Sequence, residues 1–552
     1  MKKPLISELT LREKIGQTCI FYAGLLDKIE NPEEYFKNNC FGASWILSLP
    51  REIYRYTEKA LGRDELEGRR DELHMNYINL ANKYMKIPVL PVMDAVEGIP
   101  KTKFEDHASL PVATSLGATK DPELAFRYGK CLGDDLRSIG FRWLWSPVAD
   151  NSGKYAGTRT LSTDRDMNSE LLASFIKGVQ AAGVATGAKH FPGKDPYEYR
   201  DSHFCSASYS DTYEEWERTQ KKEFQACIDA GTESIMVGHK TFRDYDNTEV
   251  NGVCIPCTLS YKVITELLKG EMGFEGVVLT DDVTMKALTA IYPTEKLYVE
   301  LIRAGNDMIL GPLRLDYIDI IEKAVLNGEI EESRIDDACQ RVLNLKEKVG
   351  LFDTDEPLVH PTDAQRKEIA DNIHKLTAEI AEKGMSLCTD RGNNLPLNKD
   401  KIKKVKIFYF GYSDRCYEAL DYAIDEFKRH GAECEKKFGY ELSDTETLDN
   451  YDLIIYASYL GFHSPPGGQN FYGKECIQLR YLEPRNNTIA VSFGSPLIYF
   501  NYFTATPTFV NCYCFSQEIV EGFVKGIYGE LQFTDYHPFP LNPIKNTNDV
   551  FE

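Results

Sequence analysis

The sequence predicts an α/β protein: a (β/α)8 TIM-like barrel followed by a smaller α/β layer domain. Short apolar runs recur about eight times over roughly the first 340 residues, and each leads into a stretch with helical periodicity. Polar residues follow several runs directly, at the place where the mouth of a barrel lies. An open doubly wound sheet would also alternate strands and helices, but it would not by itself gather polar residues from so many strand ends.

The predicted barrel begins with a helix at 11–20 and continues with buried strands that alternate with helical segments. Residues 51–86 carry apolar positions at helical spacing, and 285–291 and 315–327 repeat this pattern later in the chain. A last helix at 333–346 closes the barrel. The strands are predicted, in chain order, at 41–47, 87–93, 143–148, 184–188, 234–237, 276–279 and 307–310.

Three parts are predicted along the chain. Residues 1–355 form the barrel, 356–375 form a linker and the start of a helix, and 376–552 form the C-terminal α/β domain. The long segment 462–475 is predicted to be a loop, and loops of that length usually have either a role or no order. The other elements of this part are predicted as strands at 405–410, 452–457, 488–493 and 509–513 and helices at 363–383, 417–430 and 517–528.

The composition narrows the range of partners. The chain has 552 residues, an apolar content of 42% and a formal net charge of −21 at pH 7. Such an acidic balance argues against nucleic acid and anionic membrane surfaces. No signal peptide follows Met1 and no apolar run is long enough to span a membrane, so we expect a cytoplasmic protein. A homodimer stays open, because nothing in the sequence decides the oligomeric state.

The 14 cysteines are scattered, which is typical of reduced thiols in a chain without an export signal. Cys254 and Cys257 form a lone CxxC. Without a second pair or a nearby histidine, a structural role is favoured over zinc or redox chemistry. Cys512 and Cys514 alternate with Tyr513 in an apolar run and are predicted to be strand residues.

Residues 187–193, with the sequence Gly-Ala-Lys-His-Phe-Pro-Gly, are the most informative stretch. An apolar run leads into them, so Lys189 and His190 should stand at the carboxyl end of a strand. The following loop carries Asp201 and His203, which lie on the same side of an extended segment. A carboxylate beside an imidazole fixes its tautomer and stabilises its charged form, so this pair predicts proton transfer. A loop histidine paired with a surface aspartate is the alternative.

The pattern Lys-His-Phe-Pro-Gly, a loop, then Asp-Ser-His resembles the β-N-acetylglucosaminidase branch of glycoside hydrolase family 3. The resemblance covers nearly the whole chain and is weaker in the second domain. In that branch the histidine of the dyad is the acid/base. The resemblance therefore implies this role for His203, with Asp201 as its partner.

Asp281 is the predicted nucleophile. It follows the apolar strand 276–279, which would hold its carboxylate in the barrel mouth. The run from Thr280 to Met285 resembles the family motif Ser/Thr-Asp-Asp-x-x-Met, in which the first aspartate attacks. An N-cap for the next helix is the alternative for either aspartate, and we assign that role to Asp282.

The resemblance also implies a set of substrate-binding residues, although each alone could be structural. Asp94 resembles the family aspartate that hydrogen-bonds ring hydroxyls, and Arg159 resembles the arginine of an Arg-Ser-Phe-Gly-x-Asp motif. Glu97 departs from the pattern, because it stands where the β-glucosidases of the family have histidine, and this leaves the sugar open. The full predicted set is Asp94, Glu97, Arg159, Lys189, His190 and His239.

We therefore expect a retaining exo-β-glycosidase that prefers β-N-acetylglucosaminides, forms a covalent glycosyl–Asp intermediate and needs no metal or organic cofactor. A β-glucosidase or a glycoside phosphorylase of the same family is the first alternative, because a neutral base lets an anionic acceptor such as phosphate approach. A non-catalytic sugar-binding barrel is the second. The expected partner is a small carbohydrate or glycoconjugate.

Overall fold

The chain forms two compact units that do not follow a single cut in the sequence. The first contains Met1–Ala108, Phe126–Asp150 and Leu172–Ala370, and the second contains Ser109–Ala125, Asn151–Leu171 and Asp371–Glu552. The predicted boundaries at 355 and 375 stay a prediction. The computed structural model describes residues 2–45, 70–96, 98–99, 107–150, 158–194, 198, 200–312, 314–353, 356–461, 470–483 and 485–539.

The first unit contains a barrel of eight parallel strands. The strands pair in the circular order β7-β6-β5-β4-β3-β2-β1-β8, and a parallel bridge between Leu279 and Met308 closes the circle. The predicted barrel is thus confirmed. The strands are β1 (Cys19–Tyr22), β2 (Ala43–Trp45), β3 (Leu90–Met93), β4 (Trp143–Leu144), β5 (Ala185–Phe191), β6 (Ser234–Val237), β7 (Val277–Thr280) and β8 (Ile309–Leu310).

Apolar side chains fill the barrel interior. Trp143 and Trp145 are almost fully buried there with Met236 and Leu279, and the two indole rings meet edge to face at 5.7 Å. Each large aromatic side chain that leaves water contributes a few kcal/mol, at about 25 cal/mol per Å² of apolar surface. The interior is therefore a packed core, and polar chemistry is confined to the strand ends.

The start of the barrel differs from the prediction. The first helix spans only Leu11–Gln17, where Thr10 and Glu13 form a capping box, and the chain then enters β1. The apolar residues at positions 19–21 are buried and pair with β8 and β2. The predicted helix at 11–20 was therefore too long, because its last residues belong to a strand whose partner lies at the other end of the barrel sequence.

Helices follow most strands and cover them. The predicted last helix of the barrel is found at Glu332–Lys348, whereas the segment predicted at 285–291 contributes a single helical turn. Within the described ranges, the 3-10 segments are Ile6–Glu8, Ala23–Lys28, Cys257–Leu259 and Leu442–Asn450, and the π segments are Lys262–Glu271 and Tyr499–Phe503. The α-helices of the described residues are Leu11–Gln17, Pro32–Asn38, Arg70–Tyr84, Ala113–Gly117, Pro122–Ser138, Arg165–Ala181, Tyr213–Arg218, Gln220–Asp229, Lys286–Thr289, Thr294–Ala304, Tyr317–Leu326, Glu332–Lys348, Asp363–Gly384, Asp414–Arg429, Gly473–Leu479 and Gln517–Ile527.

The second unit contains a six-stranded sheet in the order β9-β14-β13-β12-β10-β11, in which β9 alone runs antiparallel to its neighbour. Apolar clusters cover both faces of this sheet, one of them including Phe427 and Phe523 from two flanking helices. The predicted α/β layer domain is thus confirmed. Its strands are β9 (Ser386–Asp390), β10 (Lys404–Gly411), β11 (Glu433–Phe438), β12 (Leu453–Tyr459), β13 (Thr488–Ser492) and β14 (Thr508–Asn511).

Two local predictions in this unit need correction or restriction. Strand β14 ends at Asn511, and Tyr513 has a φ of 62°, so Cys512 and Cys514 are not strand residues. The predicted loop 462–475 is described only from residue 470, and a helix already begins at Gly473. Its residues 462–469 lie outside the described part of the chain.

Several barrel strands are connected by short elements outside the barrel sheet. Ala207–Tyr209, in the connection after β5, pairs in parallel with Lys240–Phe242, in the connection after β6. A small hairpin, Glu249–Val250 with Val253–Cys254, follows. In the part of the chain that the structure describes, no helix is both long and apolar enough to cross a lipid bilayer.

Candidate active site

The carboxyl end of β5 carries the two basic residues that the sequence singles out. Lys189 is almost fully buried, and its Nζ donates to Asp94 Oδ1 over 2.6 Å. Asp94 follows β3, and its side chain is partly exposed. A buried ammonium paired with a half-open carboxylate gives a fixed, charged hydrogen-bonding pair at the barrel mouth.

His190 is held by an aspartate that sequence reasoning missed. Asp150 is fully buried after β4, and its carboxylate oxygens lie 3.2 and 3.3 Å from His190 Nδ1. The backbone N–H groups of Ala149 and Asp150 donate to the carbonyl of Lys189, which ties the two strand ends together. The only available sequence signal was the place of Asp150 just beyond an apolar strand.

Asp281 follows β7 and is kept ionised. Its backbone N–H donates to Val237 O over 3.0 Å, and its Oδ1 accepts from the N–H of Asp282 over 2.8 Å. Burial alone would raise the pKa of Asp281. The imidazoles of His190 and His239, that N–H group and the charge of Lys189 together outweigh burial and hold the pKa of Asp281 below its usual value. The site therefore presents a partly buried carboxylate that is negative at neutral pH.

The dyad predicted on the loop after β5 is formed. His203 Nδ1 lies 2.7 Å from Asp201 Oδ1, which also accepts from the backbone N–H of His203 over 2.9 Å. The hydrogen bond to Asp201 raises the pKa of His203 against the effect of partial burial, and the charges of Asp281 and Asp282 act in the same direction. The imidazole is 61% exposed, so it remains accessible to a bound molecule.

Main-chain hydrogen bonds hold this loop beside the segment that carries Asp281. The N–H groups of Lys286 and Ala287 donate to the carbonyls of His203 and Ser202 over 3.3 and 3.2 Å. The pairing of Ala207–Tyr209 with Lys240–Phe242 anchors the far side of the loop. A carboxylate held ionised and an imidazole with a raised pKa are thus brought to the same end of the barrel, and together they can supply a nucleophile and a proton donor.

Asp282 and His239 have contacts that the sequence did not indicate. The predicted N-cap role of Asp282 is wrong: its Oδ1 accepts from Thr284 N–H over 2.8 Å, whereas Met285 occupies the N-cap position of the next helix. His239 is buried, with Nδ1 2.9 Å from Thr258 Oγ1 and Nε2 2.9 Å from Asp282 O. Both ring nitrogens of this predicted sugar ligand therefore contact protein atoms.

Arg159 and Glu97 are two further predicted ligands. Arg159 lies in Asn151–Leu171, which belongs to the second unit. Glu97 lies outside the described residues. Their predicted contacts with substrate stay predictions.

One group of three side chains among the described residues has the spacing of metal ligands. It lies in the second unit and consists of Glu426, His430 and Glu530. The group is already internally paired, since His430 Nε2 lies 2.9 Å from Glu530 Oε1 and Arg429 pairs with Glu426. This arrangement is that of a surface ion-pair network.

A family model describes a large part of the chain. The Glycosyl hydrolase family 3 N terminal domain matches residues 53–345, which include β3 to β8 of the barrel. A β-N-acetylglucosaminidase/β-glucosidase from Cellulomonas fimi is 26% identical over 457 residues, covering 77% of this chain and 78% of that protein. A lysosomal β-glucosidase from Dictyostelium discoideum is 31% identical but covers 58% of this chain and 39% of that protein.

Solved structures share the fold of both units. A β-glucoside phosphorylase, BglX, superimposes with a TM-score of 0.80 at 20% identity, covering 97% of this chain and 94% of the other. A β-N-acetylglucosaminidase from Paenibacillus sp. str. FPU-7 gives a TM-score of 0.78 at 22% identity, with 97% and 99% covered. At these identities the likeness concerns the fold alone.

Proposed function

Since the chain belongs to glycoside hydrolase family 3, we propose that it is a retaining exo-β-glycosidase whose preferred substrate is a non-reducing-end β-N-acetylglucosaminide. The observation that carries the proposal is the pair of main-chain hydrogen bonds from Lys286 and Ala287 to the His203 loop. Retention requires a nucleophile and an acid/base that act on one glycosidic bond. These bonds keep the imidazole at the end of the barrel where Asp281 lies.

The reaction proceeds in two steps, through a covalent glycosyl–Asp281 intermediate. In the first, an Asp281 oxygen attacks the anomeric carbon and forms an ester while His203, protonated, gives its proton to the leaving oxygen. In the second, neutral His203 takes a proton from water, and the resulting hydroxide oxygen attacks the anomeric carbon and frees Asp281. Asp201 stabilises the imidazolium form through its 2.7 Å hydrogen bond.

Substrate grip is assigned to the polar strand ends. The Lys189–Asp94 pair, with its partly exposed carboxylate, binds ring hydroxyls. His190 Nε2 hydrogen-bonds a further hydroxyl while Asp150 holds the Nδ1 side of the ring. Arg159 and Glu97 complete the proposed binding set. We assign His239 a different role below, because its ring nitrogens contact Thr258 and Asp282.

The preferred sugar and acceptor follow from the named relatives and the dyad. The Cellulomonas fimi relative is named for both N-acetylglucosaminide and glucoside cleavage, so plain β-glucosides are the second candidate substrate. A histidine acid/base is uncharged once it has given up its proton, so a phosphate acceptor would meet less repulsion than beside a carboxylate. Phosphorolysis is therefore the second candidate reaction.

Trapping of the intermediate tests the proposal. Incubation with 5-fluoro glycosyl fluorides of the N-acetylglucosamine and glucose series, followed by peptide mass spectrometry, should place one sugar ester on Asp281 and show which sugar reacts faster. D281A should stay unlabelled. H203A should still be labelled, because fluoride leaves without a proton, but should lose turnover of unactivated glycosides.

The same samples separate the alternatives. A glycosyl 1-phosphate that accumulates when inorganic phosphate is added would identify phosphorolysis. An adduct on another residue would overturn the assigned nucleophile. Sugar binding without any adduct or turnover on a panel of aryl glycosides would support a non-catalytic barrel instead.

A further inference from the structure

We propose that His239 is a positioning residue that links Thr258 to the nucleophile through a continuous line of hydrogen bonds. This inference rests on the proposed function, in which Asp281 attacks the sugar. The line runs from Thr258 Oγ1 to His239 Nδ1 over 2.9 Å and from His239 Nε2 to Asp282 O over 2.9 Å. It ends with Asp282 N–H, which donates to Asp281 Oδ1 over 2.8 Å.

The chemistry of each partner fixes the direction of every bond. A carbonyl oxygen only accepts, so His239 Nε2 must carry a proton and donate it to Asp282 O. In a neutral imidazole Nδ1 then has a lone pair, so the Thr258 hydroxyl donates to it. Burial lowers the pKa of His239, with the charge of Asp281 only partly opposing this, and the neutral ring is therefore the stable form.

Thr258 is itself rigidly placed. It is fully buried in the 3-10 turn Cys257–Leu259, and its carbonyl accepts from Asn306 Nδ2 over 2.9 Å. The thiol of Cys254 donates to Asp246 O over 3.6 Å, and Ser260 Oγ donates to Asp246 Oδ2 over 2.5 Å. The lone CxxC is thus part of the connection that presents the Thr258 hydroxyl to His239.

Holding Asp282 from both of its peptide groups restricts the carboxylate of the preceding residue. The carbonyl of Asp282 is fixed by His239, and its N–H points at Asp281 Oδ1. If His239 no longer held the carbonyl, the Asp282 backbone could shift, its N–H would turn away from Asp281, and the attacking oxygen would take another orientation. Displacements near 1 Å cost about a hundredfold in enzymatic rates, so even a partial loss should be measurable.

Asn and Gln substitutions separate the two ring nitrogens. The amide nitrogen of Gln reaches the place of Nε2 and can donate to Asp282 O, whereas that of Asn reaches only the place of Nδ1. With a 5-fluoro glycosyl fluoride that labels the wild type, H239Q should keep a first-order trapping rate within about threefold of wild type. H239N should be slower by about tenfold or more, with an unchanged half-saturating reagent concentration.

The Thr258 pair is a second test that leaves the imidazole in place. T258S keeps the hydroxyl and should react like the wild type, while T258V removes the donor and should slow trapping. A thermal unfolding measurement shows whether H239N folds. If it does not, equal trapping rates of T258V and T258S would still overturn the proposal.

Other results are equally decisive. Three results would each overturn the positioning role of His239 and leave the glycosidase assignment intact. They are a folded H239N that reacts like the wild type, an H239Q as slow as H239N, and a change confined to the half-saturating reagent concentration. If the wild type is never labelled at Asp281, the proposed function and the positioning role of His239 are overturned together.

Discussion

Asp201 and His203 show how one short hydrogen bond sets the working state of a titratable group. The hydrogen bond between His203 Nδ1 and Asp201 Oδ1, 2.7 Å long, stabilises the imidazolium form. It therefore raises the pKa of His203 and lowers that of Asp201. As the proposed acid, His203 must be protonated in the first step. The rate of that step therefore falls as pH rises through the His203 pKa.

Substitution D201N should move the basic limb of the pH profile to lower pH. Removing the carboxylate takes away the partner that raises the His203 pKa, so the fraction of protonated acid falls earlier, by about one pH unit. The profile of kcat/KM for an unactivated β-glycoside measures this shift. D211N is the matched control, because it removes the same charge from the same loop at a residue that accepts from Tyr209 Oη over 3.1 Å. An unmoved limb in D201N would contradict the assignment.

At the residue scale, the local sequence pointed to the proposed reacting groups more clearly than to the side chains that hold them. Asp281 and His203 follow recognisable strand and loop signals. Asp150 does not, because an aspartate after an apolar strand becomes informative only once the neighbouring strand places His190 beside it. His239 was assigned to the sugar for the same reason: its partners Thr258 and Asp282 come from two other connections.

Two neighbouring helices of the barrel unit touch through glycines. Pro122–Ser138 and Arg165–Ala181 pack so closely that a Cβ added at Gly178 would lie 2.0 Å from Phe126 O and 2.9 Å from Lys130 N. A Cβ at Gly129 would lie 2.3 Å from Phe175 O. The contact is made by main-chain atoms, which have little freedom to move aside.

Substitution G178A should therefore destabilise the protein by about 1–3 kcal/mol, because the helices must separate to admit one methyl group. Chemical denaturation measures the loss. G270A is the matched control: it also lies within a helix, but its Cβ would lie 3.3 Å from Thr265 O, so its change in stability should be much smaller than that of G178A. A G178A variant as stable as G270A would show that the helices are less tightly packed than this geometry indicates.

Element boundaries were predictable wherever the deciding partners were close in sequence. The strands at 234–237 and 276–279 were found almost to the residue, as Ser234–Val237 and Val277–Thr280. Strand β1 was missed because residues 19–20 continue an apolar helical pattern and become a strand only by pairing with Ile309 and Leu310. No local signal carries that information.

On the scale of the whole barrel, a buried lysine joins its beginning to its end. Lys346, in the last barrel helix, has no exposed surface and donates to Gln17 Oε1 over 2.6 Å and to Pro88 O over 2.7 Å. Both acceptors are neutral. Burial therefore lowers the pKa of Lys346 to about 8 in the folded protein, whereas the unfolded chain has the ordinary value near 10.5.

This shift makes stability depend on pH with a definite sign. Between pH 8 and about 10.5 the unfolded chain binds more protons at this site than the folded one, so the contribution of Lys346 to stability rises with pH. Below pH 8 the lysine is charged in both the folded and the unfolded state. Because its charge is then buried in the folded state, its contribution to stability is smallest there. The full span corresponds to about 3 kcal/mol, by 1.36 kcal/mol per unit.

The variant K346M should lack this rise. The difference in unfolding free energy between wild type and K346M should therefore change in favour of wild type as pH increases from 7.5 to 10, as measured by urea denaturation at several pH values. Taking this difference cancels the contributions of the tyrosines and cysteines that also titrate in this range, because both proteins contain them. A difference that stays constant with pH would contradict the buried, displaced titration.

The architecture as a whole was accessible from the sequence, whereas the membership of two earlier segments in the second unit was not. Alternating strands and helices indicated both the barrel and the second sheet, because periodicity is a local property. The grouping of 109–125 and 151–171 with the C-terminal unit depends on contacts between distant segments, such as Thr163 N–H with Pro538 O over 2.8 Å. A linear reading of the chain has no access to such contacts.

The hydrogen bonds between residues 202–203 and 286–287 are made by backbone atoms alone. The side chains of Ser202 and Lys286, which are not buried, can therefore vary while the His203 loop keeps its position. The number of residues between Asp281 and Lys286 has no such freedom, because one inserted or deleted residue would pull the N–H donors out of phase with the carbonyls. Among homologues that share this chemistry, we therefore expect the number of residues between Asp281 and Lys286 to vary less than the residue types in this segment.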